Sequence, residues 1–134
     1  MNNPTTTFEL ATTLKKDRPG ELAKAVTAIA NMQINIEGYA EIDGKFHVVT
    51  SDPKGAKKAL ETVGFSVEEH EIFVIDGEDR PGFLANVLRR ISAEEINVAS
   101  TYTLTNTRIA FTVDQPARVK EILHELSPTA TRVR

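Results

Sequence analysis

The sequence predicts an α+β protein made of two similar units in tandem, each with the order β-α-β-β-α-β and an antiparallel sheet that carries its helices on one face. The first observation is a repeat, because Asp-Arg-Pro-Gly-x-Leu-Ala occurs at residues 17–23 and again at 79–85, a spacing of 62 residues. Between residues 17 and 35, nine of nineteen positions are identical in the second copy, where ordinary amino-acid usage gives roughly one or two. The second observation is that strand-like and helix-like periodicity follow each copy in the same order.

The first unit opens with a strand and a helix. Residues 5–14 are rich in β-forming types. Phe8, Leu10, Thr12 and Leu14 alternate with residues 9, 11 and 13, which predicts a strand with one buried face. Residues 17–20 then open a helix, because Asp is a favourable N-cap and proline is tolerated in the first turn. The helix is predicted to end at residues 31–33. Its inward face is formed by apolar residues at helical spacing, namely Leu22, Ala25, Val26, Ile29 and Met32.

A hairpin follows this helix. Residues 34–42 are predicted as a strand that turns at Asp43 and Gly44 and returns over residues 45–50. An Asp-Gly pair between two β-runs favours a two-residue turn, because both turn residues need a positive φ.

A second helix and a long strand complete the first unit. Asp52 and Pro53 repeat the pattern of a cap followed by proline, and Gly64 stands where helices commonly end. Residues 65–75 form one β-run, long enough to end the first unit and begin the second.

The second half repeats this order of elements. Residues 79–82 are predicted to open a helix whose inward residues are Leu84, Val87, Leu88 and Ile91, and a hairpin is predicted over 96–113 around Thr105 and Asn106. A second helix is predicted from Gln115 and Pro116, with Val119, Ile122, Leu123 and Leu126 inward. Residues 129–134 are predicted as a short strand or tail. Each unit therefore has the ferredoxin-like split pattern, with the first unit at 1–70 and the second at 71–134. Units of about sixty residues are marginal alone, so the halves should share a core or a sheet, or dimerise.

Composition excludes several classes of function. The chain has no cysteine, so disulfides, thiolate nucleophiles and thiolate metal sites are excluded. The formal charge of −3 argues against a nucleic-acid partner. No stretch is long and apolar enough to span a bilayer, and the N-terminus does not resemble a signal peptide. We therefore expect a cytoplasmic protein with no membrane association, no cofactor and no metal site, since the three histidines are not at ligand spacing.

The repeated motifs resemble those of tandem ACT domains. In both copies Asp-Arg-Pro-Gly-x-Leu-Ala opens the first helix, and Ile-Asn-Ile at 34–36 or Ile-Asn-Val at 96–98 opens the second strand. The resemblance extends from about Phe8 to Leu126. It implies a regulatory module, not an enzyme, that binds a small metabolite, most often an amino acid, and changes the activity of a separate enzyme. ACT domains typically pair through sheet edges, so a homodimer is expected.

The resemblance and the residues place the ligand at the motif. A helix N-terminus offers unpaired N–H groups and a partial positive charge, which suit the carboxylate of an amino acid. The ammonium then needs acceptors from Asp or Asn, although an ionised Asp, where many family members have Asn, cannot donate and repels a nearby carboxylate. The predicted ligand-binding residues are Asp17, Arg18, Gly20, Glu21, Leu22 and Asn35 in the first unit, and Asp79, Arg80, Gly82, Phe83, Leu84 and Asn97 in the second.

Other interpretations of the motif stay open. Asp17 and Asp79 can simply be helix caps, and Phe83 can be an ordinary core aromatic. An ACT fold without a ligand can serve as a protein-interaction module or as the regulatory subunit of an enzyme of amino-acid metabolism. An acylphosphatase-like hydrolase would use an arginine in this loop, but the surrounding glycine-rich pattern is missing and no catalytic residue is predicted. Because Glu21 and Phe83 differ at equivalent positions, the sequence argues against two equivalent ligand sites.

Overall fold

The computed structural model of the chain describes residues 5–15 and 18–126, with side chains to residue 122. The elements are β1 (Thr5–Thr13), α1 (Glu21–Asn31), β2 (Ile36–Ile42), β3 (Lys45–Thr50), α2 (Pro53–Thr62), β4 (Glu68–Asp76), α3 (Phe83–Ala93), β5 (Val98–Thr103), a 3₁₀ turn (Thr105–Thr107), β6 (Arg108–Val113) and α4 (Pro116–Leu126). This order confirms the predicted fold class of two ferredoxin-like units. The strand or tail predicted at 129–134 lies outside the described residues.

The described chain divides into two compact units. The first unit is Phe8–His70, and the second consists of residues 5–7 and 71–126. In the first unit the strands lie in the order β2-β3-β1, and in the second they lie in the order β5-β6-β4, with antiparallel neighbours in both. Two long strands contribute to both units, because the division falls inside β1 and inside β4.

The core of the first unit lies between its sheet and its two helices. Leu10, Phe46 and Val48 point from the sheet towards Ile29 of α1 and Leu60 of α2, and all five side chains are fully buried. Leu10 therefore faces the core as predicted. The prediction of a single buried face on β1 is wrong, because Glu9 and Ala11 are also only 1% exposed, while Phe8 is 46% exposed. Met32 was predicted to widen this inward stripe, and that is wrong, because Met32 is the residue that follows the last turn of α1 and is 55% exposed.

The core of the second unit is built in the same way. Phe111 and Phe73 from the sheet pack with Val87 and Ile91 of α3 and Val119 of α4. The prediction that Leu84 faces inward is wrong, since Leu84 is 46% exposed. The reason is the 3.6-residue period of the helix: Phe83, Val87 and Ile91 are four residues apart and share the inner face, while Leu84 is rotated away from it.

The two hairpins differ in their turns. Asp43 and Gly44 have φ values of 54° and 84°, which confirms the predicted two-residue turn between β2 and β3. The connection between β5 and β6, residues 104–107, is longer by two residues, and both Asn106 and Thr107 adopt the left-handed conformation, with φ of 62° and 61°. Thr107 is β-branched, and a β-branched residue is strained in the left-handed backbone conformation.

Replacing Thr107 by glycine is therefore expected to stabilise the protein. Relief of the left-handed strain outweighs the greater flexibility of an unfolded glycine, so the free energy of unfolding should rise by roughly 0.5–1 kcal/mol. Urea denaturation measures this change. Thr105→Gly is the control, because Thr105 accepts a hydrogen bond from Arg108 through its hydroxyl at 2.9 Å, and its loss should lower stability. A lower free energy of unfolding for Thr107→Gly would show that the left-handed conformation of Thr107 is not strained.

Candidate functional site

Both motif helices begin at a glycine that has no side-chain cap. Gly20 precedes α1 and Gly82 precedes α3, each with φ of 90° and without a side-chain hydrogen bond to the helix. By contrast, Asp52 caps α2 by accepting from the N–H of Gly55 at 3.1 Å. The interpretation of Asp79 as a helix cap is therefore wrong, because a turn of three residues separates it from α3. Asp17 lies outside the described residues.

A groove in the first unit surrounds the start of α1. It has a volume of about 410 Å³ and lies between the end of β1, the first turn of α1 and the β2–β3 turn. The N–H of Leu14 donates to the carbonyl oxygen of Gly44 at 2.6 Å, which ties the end of β1 to that turn. The described residues that line the groove are Leu14, Lys15, Arg18, Gly20, Glu21, Leu22, Glu41, Asp43 and Gly44. Four of the predicted ligand-binding residues, at positions 18 and 20–22, are therefore brought together.

The groove carries charges of both signs. Lys15 and Arg18 contribute cations, while Glu21, Glu41 and Asp43 contribute carboxylates. Glu41 uses one oxygen to accept from the N–H of Gly44 at 2.9 Å. Within the described part of the chain, no hydrogen bond or ion pair engages the side chains of Arg18 and Glu21.

The first-turn amides of α1 add donors to this groove. Its first helical hydrogen bond runs from the N–H of Lys24 to the carbonyl oxygen of Gly20 at 2.8 Å, so the preceding amides have no partner within the helix. Leu14 and Leu22 supply apolar surface beside them. The groove therefore offers donors, a carboxylate and an apolar wall within one small volume, which are the groups that a zwitterion needs.

Asn35 lies at the opposite end of the first sheet. Ile36 is paired with Thr50, whereas Thr13, at the groove end, is paired with Lys45. Five residues of β3 separate these pairs, a distance of about 17 Å at the usual rise of a strand. The structure therefore does not bring Asn35 to the motif of its own unit. Its backbone joins the ends of β2 and β3 instead, where its N–H donates to the hydroxyl of Ser51 at 3.1 Å.

The second copy of the motif makes contacts that the first lacks. Phe83 is 8% exposed and belongs to the core of the second unit. The guanidinium of Arg80 lies 5.5 Å from the centroid of the Phe83 ring, and its Nε donates to Glu78 at 2.6 Å. Asp79, Arg80, Gly82 and Leu84 are exposed.

Asn97 is held by a carboxylate at the start of β5. Its side-chain amide donates to Oδ2 of Asp114 at 3.2 Å, and its backbone N–H donates to Oδ1 of the same residue at 3.2 Å. Asn97 is next to Val98, which is paired with Val113 at the end of β6. Asp76, which is close to the motif, is paired with Arg108 at the start of β6. The second unit therefore also separates its Asn from its motif.

Sequence analysis missed one cluster of titratable side chains in the first unit. Glu9 on β1 is only 1% exposed, and its Oε2 lies 2.9 Å from Nδ1 of His70 and 3.2 Å from Nδ1 of His47. The alternation of β1 does place Glu9 opposite the inward-facing Leu10, but the strand register that brings the histidines to it is not visible in the sequence. Among the residues that the structure describes, no group of three or more His, Asp or Glu side chains is arranged to hold a metal ion. None of the described helices is long and apolar enough to cross a membrane.

The paired units, each with a helix-opening glycine motif, define an α+β protein of the ferredoxin-like class. The chain belongs to the ACT domain family, because the family model described as an ACT domain pair matches residues 39–128. This match includes the second motif and leaves the first outside it. No curated protein matches the chain.

Several solved structures share the fold. The protein BT0572 from Bacteroides thetaiotaomicron is 25% identical, with a TM-score of 0.84 over 93% of this chain and 91% of that one. The ligand-free regulatory subunit of aspartate kinase from Thermus thermophilus is 16% identical, with a TM-score of 0.67 over 96% of this chain and 95% of that one. Aspartokinase III of E. coli in complex with lysine and aspartate is 16% identical, with a TM-score of 0.58 over 92% of this chain but 31% of that one.

Proposed function

We propose that this ACT domain pair is a regulatory module without catalytic activity, which binds a free amino acid or a closely related small zwitterion and controls a separate metabolic enzyme. The observation that carries the proposal is the groove at the start of α1, where the side chains of Arg18 and Glu21, which no described residue engages through a hydrogen bond or an ion pair, line one small volume. The likeness in fold to regulatory subunits of aspartate kinase supports a regulatory role.

The groove suits an amino acid in one orientation. The carboxylate lies against the uncapped amides of α1 and the guanidinium of Arg18, where the helix dipole and a charge-assisted hydrogen bond both favour an anion. The ammonium lies against the carboxylate of Glu21, and the side chain of the ligand lies against Leu14 and Leu22. This orientation keeps the carboxylate of the ligand away from Glu41 near the end of β2 and from Asp43 on the β2–β3 turn.

A thermal-shift screen over the twenty amino acids tests the proposal. A ligand that binds only the native state stabilises it by about 2.7 kcal/mol at one hundred times its Kd, so at least one amino acid should raise the melting temperature by several degrees. No shift with any of the twenty at about 10 mM would instead support a ligand-free interaction module. A hydrolase activity that Arg18→Ala abolishes would contradict the non-enzymatic role.

Arg18→Ala should weaken binding of the responding amino acid without destabilising the fold. The loss of a charge-assisted hydrogen bond is worth roughly 1.5–3 kcal/mol, which corresponds to about a tenfold to hundredfold increase in Kd. The melting temperature without ligand should not change, because Arg18 is exposed and no hydrogen bond or ion pair of its side chain with the described residues is lost. Calorimetric titration measures the Kd. The charge-matched control is Arg89→Ala, an exposed position on α3.

A further inference from the structure

We infer that the second copy of the motif is closed by its own side chains and that each chain binds one amino acid, in the first unit only. This inference rests on the proposed function. It is carried by two differences between residues at equivalent positions of the repeat.

The residue after the motif glycine is the first difference. Glu21 is half-buried, lines the groove, and presents a carboxylate that no described residue engages. At the equivalent position Phe83 turns into the core of the second unit and is 8% exposed. The second copy therefore has no carboxylate at this position for an ammonium group, and Phe83 stabilises the fold in its place.

The motif arginine is the second difference. Arg80 is bound to Glu78 at 2.6 Å and lies over the ring of Phe83, so its guanidinium already has an anionic and an aromatic partner. A ligand carboxylate would have to compete with Glu78 for this guanidinium. The first copy has Lys16 at the position of Glu78, so the sequence alone excludes the equivalent ion pair with Arg18.

The asparagines also differ, but they lie away from the motifs and do not contribute to this inference. The side-chain amide of Asn97 donates to Asp114 at the end of β6, whereas the side chain of Asn35 has no hydrogen bond with a described residue. The two differences at the motif have the same direction: internal contacts hold Phe83 and Arg80, whereas no described residue engages Glu21 or Arg18 through a hydrogen bond or an ion pair.

Gly20 and Gly82 provide a matched pair of variants for the test. Both have φ of 90°, and apart from the adjoining residues no atom of a described residue lies within 4 Å of the position that a Cβ would take in either. Gly20→Ala and Gly82→Ala should therefore lower stability equally, by about 1 kcal/mol each, through left-handed strain alone. Only Gly20 lines the groove, so a difference in binding between the variants reports the site and not the strain.

The experiment is calorimetric titration of the full chain with the amino acid that gives the largest thermal shift in the panel of twenty. We expect a stoichiometry of one ligand per chain, about a tenfold or greater loss of affinity for Gly20→Ala, and a Kd within about twofold of the parent for Gly82→Ala. Arg80→Ala, a surface substitution that should not prevent folding, should also leave the Kd within about twofold.

Two ligands per chain, or equal losses of affinity in the two glycine variants, would overturn the inference and leave the proposed function in place. A parent chain that responds to none of the twenty amino acids would overturn both.

Discussion

Replacement of Phe83 by alanine is expected to lower the free energy of unfolding by about 3–5 kcal/mol, the usual cost of removing a buried phenylalanine side chain. The side chain is 8% exposed and packs with the core of the second unit, so its loss leaves a cavity beneath the start of α3. Urea denaturation measures the change. Leu84→Ala is the control, because Leu84 is the next residue and is 46% exposed, and it should cost less than about 1 kcal/mol. Similar costs for both variants would contradict the inward position of Phe83.

Removing both histidines around Glu9 is also expected to lower the free energy of unfolding. The carboxylate of Glu9 is buried and lies within 3.2 Å of both imidazoles. The double variant His47→Ala, His70→Ala removes these partners from a buried acidic group. Because the imidazoles are 22% and 42% exposed, water can reach the carboxylate in the variant, and we expect a loss of about 2–3 kcal/mol. The free energy of unfolding from urea titration at neutral pH is the measurement.

Substitution of Glu9 in the same background shows why the double variant loses stability. The cost can come from burying the carboxylate of Glu9 without its two histidine partners, or from the lost packing of the histidine side chains. Adding Glu9→Leu to the double variant removes the buried acid and should recover part of the lost stability, since an apolar side chain at a buried site needs no polar partner. If the triple variant is less stable than the double variant, the cost lies in the packing of the histidines and not in the carboxylate.

The order of elements could be predicted because its signals are local. The turn at Asp43 and Gly44 needs two positive φ values, and the Asp-Gly pair itself predicts both of them. The inward face of α1 up to Ile29 follows from periodicity alone, whereas the burial of Glu9 and Ala11 on the other face of β1 does not. Errors arose where a helix ends or begins, as at Met32 and Leu84, because periodicity does not show which residue is the last or the first to face the core.

The arrangement of the site was harder to predict because it depends on contacts distant in sequence. The Asp and Asn of each copy are eighteen residues apart, which suggested one cluster, but α1 has eleven residues and spans about 16 Å, so it carries the chain from one end of the sheet to the other. The groove also depends on the β2–β3 turn, which sequence analysis did not connect with the motif. The Glu9 cluster depends on strand register, which no local pattern specifies.

The division of β1 and β4 between the units sets an order for synthesis and folding. The first unit, Phe8–His70, is contiguous, so all of its residues have been translated before any later part of the chain appears. The second unit combines residues 5–7 with residues from 71 onward. These two segments are more than sixty residues apart in the sequence and must come together to complete the unit. Because contacts between distant segments form slowly, the unit with the open groove can fold early, and the closed copy forms last.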